Sequence, residues 1–414
     1  MGMAGMASSL FAIMRGVNVV QVGVTSEMLF ATGLLDLMGT HPIEEQRSWS
    51  DPWAAIEMLT QDIPNHPYAR LHKNDIQTAF EEIVSFLAGA GLSYHGRKGE
   101  NCRVITPLGT IKHTYFVPQS MWSGVLALEE KPPCVIVDFE GLKEFSARQI
   151  VALLQKEWPG LDAARIPFPG SNRVKEFFPG EIAAESLESS KNKEMLISAL
   201  KPLTKNAQAI GLPALLGLQR TGQILAELES RLGVAVFELP TLPISVPGLR
   251  LNETLRRRLS AEGVRYLAQN RVLEARRSPD GDFLLGIGRK EEQYTLRAEG
   301  VILASGRFWG RGLEASRQMI RETLFDLPVS QPQGRTNWHR EDFLDSRGHS
   351  INRAGLEIDD FFRPLGKSGR PAYENLFAAG SILAHQDWIR MKCGSGLALA
   401  TAKGAVNSFL KLNK

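Results

Sequence analysis

Apolar positions in this chain fall into alternating helix-length and strand-length blocks. Residues 3–15 are rich in Ala, Met and Leu and end at Gly16, where a helix C-cap belongs. Residues 17–24 (VNVVQVGV) follow as a β-branched run of strand length. The spacing predicts a helix and then a buried strand, the second half of a βαβ unit whose first strand would precede Gly2. Helical spacing returns at 52–61 and 74–90, and 104–117 reads as a hairpin turning at Pro107 and Gly109. A buried strand is predicted at 133–139 and a helix at 142–158. Strands at 206–216 and 234–239 flank a helix at 221–232.

Prolines at 240, 243 and 247 predict an irregular loop over 239–251, followed by a charged helix at 253–261. Pro279-Asp280-Gly281 marks a turn between strands. The run 300–305 (GVILAS) is an apolar strand closed by Gly306. An irregular Gly/Arg-rich stretch (306–372) then precedes a strand at 376–379, a polar loop, and a helix starting near Gly394. No internal repeat or low-complexity tract interrupts this order.

Alternation of this kind predicts an α/β fold with a parallel or mixed sheet under helices. The expected core is a Rossmann-like flavin-binding domain, its first strand missing, built from 1–40, 120–240, 295–320 and 370–414. Inserted α/β or α+β segments facing substrate or partner are expected at 41–119, 241–294 and 321–369.

Composition narrows the classes. A net charge of +3 with scattered basic residues gives no nucleic-acid footprint, and Arg256-Arg257-Arg258 reads as a solvated helix face. The three cysteines, Cys102, Cys134 and Cys393, lie far apart with no CxxC spacing, which predicts neither a disulfide framework nor a metal centre and suits a reducing cytoplasm. No apolar run reaches the roughly 18 residues of a membrane span; if the protein works with a membrane, another subunit must provide the anchor. The apolar start lacks a charged leader and a small-residue cleavage site, unlike a signal peptide.

Three elements carry candidate cofactor chemistry. Dinucleotide folds turn from strand to helix through G-x-G-x-x-G, and Gly2 and Gly5 match its last four positions. The acidic residue that usually ends the second strand is replaced by Val24 and Thr25, with Glu27 only nearby; an adenine dinucleotide would be held atypically, or the cofactor would be a mononucleotide. The second element is Ser305-Gly306, whose strand-then-Ala-Ser-Gly form resembles the A-T-G strand of flavoproteins. The third is Gly380-Ser381 with Gly394-Ser395-Gly396, which opens a small-residue helix. Such a helix start can face an anion, or it can allow close helix–sheet contact.

Four stretches carry a family resemblance: RVITPLGT at 103–110, LPTLPISVPGLRL at 239–251, Val301 to Gly306, and Asn375 to Gly396. Together they resemble the B subunit of the anaerobic glycerol-3-phosphate dehydrogenase complex, among the two-dinucleotide-binding-domain flavoproteins. The resemblance implies oxidation of sn-glycerol 3-phosphate to dihydroxyacetone phosphate. It further implies an FMN cofactor, with FAD as the alternative. The implied partners are a larger, A-type flavoprotein subunit and an iron–sulfur, C-type subunit, which would pass electrons to quinone and hold this cytoplasmic chain at the inner membrane. The alternative is a docking or electron-relay subunit that does no chemistry itself.

Within that frame His385 is the candidate base, standing where the family pattern has glycine. Asp387 either orients a neighbour or caps a helix. Arg250, Arg307 and Arg390 are candidates for the substrate phosphate, against the simpler reading of surface ion pairs. Cys393, at the helix start, reads as a small packing residue.

Overall fold

A computed structural model describes residues 1–24, 27–169 and 179–412. The chain divides into two compact units, one of Met1–Glu27, Leu35–Phe86 and Leu255–Lys414, the other of Met28–Leu34 and Leu87–Thr254.

The first unit opens with helix α1 (Met3–Ile13), buried from Ala4 to Ala12 on nearly every side. An Ala- and Ser-rich helix has little side-chain bulk, which lets it sit in the middle of a layered structure. It ends before Gly16, whose φ of +75° is the left-handed stop expected from the sequence. Strand β1 (Val20–Gly23) pairs in parallel with β2 (Arg265–Ala268) in the register Val20↔Arg265. A three-stranded antiparallel sheet of Arg271–Arg277, Phe283–Gly288 and Glu292–Ala298 follows, turning at Gly281 (φ +90°). Strand β3 (Val301–Leu303) then pairs in parallel with β4 (Leu376–Ala378), and the chain closes on the long helix α2 (Gly394–Leu412), which packs against α1. Among the described residues no strand precedes α1, and β1 and β3 each pair on one side only.

The second unit has its own sheet. Four parallel strands stand in the order Leu161–Ile166, Cys134–Phe139, Ala209–Pro213, Ala235–Leu239. Helices Gln119–Glu130, Ala147–Leu154, Ser190–Leu200 and Thr221–Leu232 connect and cover them, burying Phe139, Trp158, Leu212 and Phe237 in one core. Two antiparallel pairs, Tyr94–Gly96 with Phe116–Pro118 and Cys102–Ile105 with Ile111–Thr114, complete the unit.

Two expectations change. Residues 120–240 do not join the sheet of β1: they form a separate unit with 87–119, while 35–86 belongs to the first unit. Alternating blocks show that strands exist, but not which sheet each one enters. The proline-rich stretch is also not wholly irregular, since a helix runs over Val246–Ala261. Pro247 is tolerated because it falls in the first turn, where an amide has no intrahelical acceptor to lose. Among the described residues no helix is long and apolar enough to cross a membrane.

Candidate functional site

The two N-terminal glycines hold different positions. Gly2 is the N-cap of α1, with no side-chain cap and open space where a Cβ would stand. Gly5 is crowded: a Cβ there would fall 2.9 Å from Gln21 Nε2 and 3.7 Å from Ala304 Cβ. One glycine adds no bulk at an uncapped helix start and the other lets the helix approach β1 and the end of β3. Those are the roles a phosphate-binding turn requires.

The end of β3 and the segment after β4 meet beside this turn. Gly306 (φ +69°) brings its open face near Ser381 Oγ and Glu27 Oε1, 3.6 and 3.8 Å from an ideal Cβ. Ser305 Oγ is buried with no hydrogen-bond partner among the described residues. Gly380 (φ +78°) donates its amide to Thr401 Oγ1 of α2 at 2.9 Å, and a Cβ on it would fall 2.5 Å from Ala4 Cβ. Burial pushes the Glu27 carboxyl above its ordinary value, against the pull of the Met1 ammonium and Arg307. An uncapped helix start, an orphaned hydroxyl and a partly buried carboxylate form a donor and acceptor set that suits a dinucleotide. Thr25, also expected here, lies outside the described residues.

The start of α2 is occupied by protein. Gly396 donates its amide to Asp36 O at 2.6 Å, and a Cβ there would fall 2.5 Å from Tyr68 Oη. A Cβ on Gly394 would fall 2.8 Å from the Trp388 ring. These two glycines permit close packing, with half-buried Ser395 between them. Cys393 is fully buried, and burial pushes its thiol well up.

The expected catalytic residues separate. His385 adopts φ +64°, the left-handed region that favours glycine. Its Nε2 is hydrogen-bonded to Glu357 Oε1, and its amide donates to Arg353 O at 3.0 Å. That hydrogen bond from His385 holds the Glu357 carboxyl below the usual carboxylate range, with burial opposing it. A carboxylate on one ring nitrogen orients an imidazole and leaves the other nitrogen to accept a proton. Asp387 instead caps the short helix Trp388–Met391, accepting the Arg390 amide at 3.4 Å, Arg390 Nη1 at 3.3 Å and Asn352 Nδ2 at 3.2 Å.

Each expected phosphate-binding arginine already has acceptors. Arg250 and Glu238, in the second unit, are 2% and 1% exposed and pair at 2.6 and 2.9 Å, with Arg250 Nε on Gly217 O at 2.7 Å. Arg307 clamps carbonyls, donating to Asn352 O and, at 2.7 Å, to Gln386 O; burial pulls its guanidinium down to about 10. Arg390 is held by Asp387. Different side chains line the cavity at His385, a space of about 260 Å³ bordered by Glu44, Arg340, Arg347, His349 and Arg353. Neither these nor Glu357 stand out in the sequence: they lie in irregular chain, where no periodicity or glycine spacing marks them. Among the described residues no three or more His, Cys, Asp or Glu side chains are grouped to hold a metal ion.

Residues 1–397 match the family described as FAD binding domain. The chain belongs to this FAD-binding family. Its curated relatives include proteins named as the B subunit of anaerobic glycerol-3-phosphate dehydrogenase. The one from Yersinia pseudotuberculosis is 28% identical over 97% of this chain and 94% of its own length. That from Pectobacterium atrosepticum is 27% identical over 99% and 97%. A Halobacterium salinarum protein, named as a probable B subunit of the same enzyme, is 29% identical over 98% and 95%. Membership and these full-length likenesses make the chain a flavoprotein of the oxidoreductase-subunit type.

Proposed function

We propose that this chain is an FAD-containing subunit that oxidises sn-glycerol 3-phosphate to dihydroxyacetone phosphate. Relatives carrying the B-subunit name along nearly their whole length support the substrate. The observation that carries a chemical role is the His385–Glu357 pair, an oriented imidazole in the loop between Gly380-Ser381 and the Gly394 helix. FAD in place of the expected FMN is favoured by the family match and by Glu27, which sits beside Gly306 as a carboxylate for the adenosine ribose.

When bound, the flavin supplies a two-electron acceptor for hydride. The amides at the start of α1 would hold the pyrophosphate, with Ser305 and Ser381 offering hydroxyls beside Gly306. His385 would take the hydroxyl proton of the substrate's C2 at Nδ1, while Glu357 keeps Nε2 engaged and the ring fixed. The partners proposed are the A-type flavoprotein subunit and the iron–sulfur, C-type subunit, which would carry electrons to quinone and hold the chain at the inner membrane.

One observation favours the alternative of a docking or relay subunit: the Gly396 amide already donates to Asp36 O, so that helix start is engaged within the protein. A visible spectrum of the purified chain separates the two readings. Flavin bands that bleach on adding glycerol 3-phosphate support the dehydrogenase. A colourless protein, expressed alone and with its partners, refutes it. Releasing the cofactor and identifying it by mass tests the choice of FAD, and Glu27→Ala should weaken FAD retention about tenfold while leaving FMN retention unchanged.

A further inference from the structure

The cavity beside His385 carries a charge pattern that the flavin chemistry does not use. Three guanidinium groups, Arg340, Arg347 and Arg353, face one carboxylate, Glu44, a formal excess of two positive charges with histidines neutral. Its volume of about 260 Å³ lies below the ~300–1,000 Å³ of pockets for drug-sized ligands, so it suits a molecule of a few heavy atoms.

The arginines are held in distinct ways. Arg340 donates Nε to Gly348 O at 3.0 Å, which fixes its plane, and no carboxylate lies within ion-pair distance of it among the described residues. Its amide donates to His349 Nδ1 at 3.1 Å, and His349 Nε2 donates to Phe343 O at 3.0 Å, so both ring nitrogens are spent on positioning. Gly348 (φ +73°) has no room for a Cβ, which would fall 2.8 Å from Arg390 Cδ and 2.9 Å from Asp387 Oδ2. The Asp387–Arg390 turn thereby buttresses the loop. Arg347 is paired with Asp345 at 2.6 Å and contributes field more than a free fork. Arg353 meets Glu44 at 3.4 Å with both side chains at least 40% exposed, a pair weak enough for a dianion to displace. The Arg353 carbonyl accepts the His385 amide at 3.0 Å, which ties the cationic wall to the imidazole.

We propose that this cavity is the phosphate subsite, with Arg340 and Arg353 binding a phosphomonoester dianion and His385 facing the adjoining carbons. The proposal rests on the glycerol 3-phosphate reading above. In that substrate the reacting C2 is bonded to the phosphorylated carbon, so anchoring the phosphate against Arg340 would present the C2 hydroxyl to the neighbouring wall. Planar guanidinium forks suit phosphate oxygens, and a cavity with a net positive lining raises the local concentration of a dianion.

The test is calorimetric titration of the full chain, flavin as purified, with inorganic phosphate, alongside flavin bleaching by glycerol 3-phosphate. Arg340→Gln should weaken phosphate binding about tenfold or more, and Arg340→Lys should restore part of it. Glu44→Gln should tighten binding several-fold by removing the competing carboxylate, an effect that a damaged fold would not produce. Phosphate binding indifferent to both Arg340→Gln and Glu44→Gln overturns the subsite even if glycerol 3-phosphate bleaches the flavin. Binding that follows the substitutions without any bleaching keeps the anion subsite and removes glycerol 3-phosphate as its ligand.

Discussion

Arg250 was a candidate for the substrate phosphate, and its surroundings predict a different role. Replacing it with methionine would leave Glu238, 1% exposed, with the Leu216 amide at 2.7 Å as its remaining donor. Two ion-pair hydrogen bonds of 2.6 and 2.9 Å vanish, and Gly217 O loses the Nε donor at 2.7 Å. Breaking a buried pair from one side costs about 3–5 kcal/mol, because an uncompensated charge stays in low dielectric. Removing both charges in Arg250→Met/Glu238→Leu leaves only the Leu216 amide unsatisfied, since Gly217 O keeps the Thr221 Oγ1 donor at 3.2 Å, a cost of about 1–3 kcal/mol. The double variant should therefore be more stable than the single one. Hydrogen exchange in Ala209–Pro213 and Ala235–Leu239 reads the stability of this unit and not a whole-chain average. Arg250→Met should raise the opening equilibrium there by roughly two orders of magnitude or more. A variant with native protection but a KM for glycerol 3-phosphate raised about tenfold would refute the structural role and make Arg250 a substrate ligand.

Three other predictions bear on the first unit. His385→Gly suits the φ of +64°, so thermal stability should hold or rise by about 1 kcal/mol while kcat falls about 10²- to 10⁴-fold; unchanged kcat removes the imidazole from the chemistry. The Glu357 carboxyl is depressed by its hydrogen bond from His385, so its contribution to stability is fully present above the unfolded value near ~4.3 and is lost as pH falls through the lower folded value. Melting temperatures below about pH 5 should fall more steeply in the wild type than in His385→Gly, and parallel curves would count against the pair. Gly380→Ala places a methyl 2.5 Å from Ala4 Cβ at φ +78° and should cost about 2–4 kcal/mol with loss of bound flavin, as urea denaturation and the visible spectrum would report; a stable, yellow variant contradicts the close packing of α1.

Much of the local structure could be read from the residues. Thr221–Leu232 forms at its expected bounds because its apolar spacing and the glycine after it, Gly233 at φ +72°, act locally. Gly16, Gly109, Gly281 and Gly306 mark stops and turns at positive φ for the same reason, since only glycine reaches that region without strain. The crowding at Gly5, where a Cβ would fall 2.9 Å from Gln21 Nε2, likewise follows a glycine that stands out beside a small-residue helix.

What the sequence could not determine is which distant segments meet. Strand Cys134–Phe139 is equally apolar whether it joins β1 or the strands at 161 and 209, so the division into two units had to come from long-range pairing. The arginines show the same limit. A guanidinium looks alike in sequence whether Glu238 neutralises it in a core, as at Arg250, or it lines a cavity with no ion-paired carboxylate among the described residues, as at Arg340. Glu357 and His385 are separated by 27 intervening residues that include the short strand β4, and no local spacing links the two. The sequence by itself set the glycine turns, the helices and the flavoprotein character, which depend on residues close along the chain. The tertiary structure alone decided which charges remain available to a ligand, because that depends on burial and on partners brought together by folding.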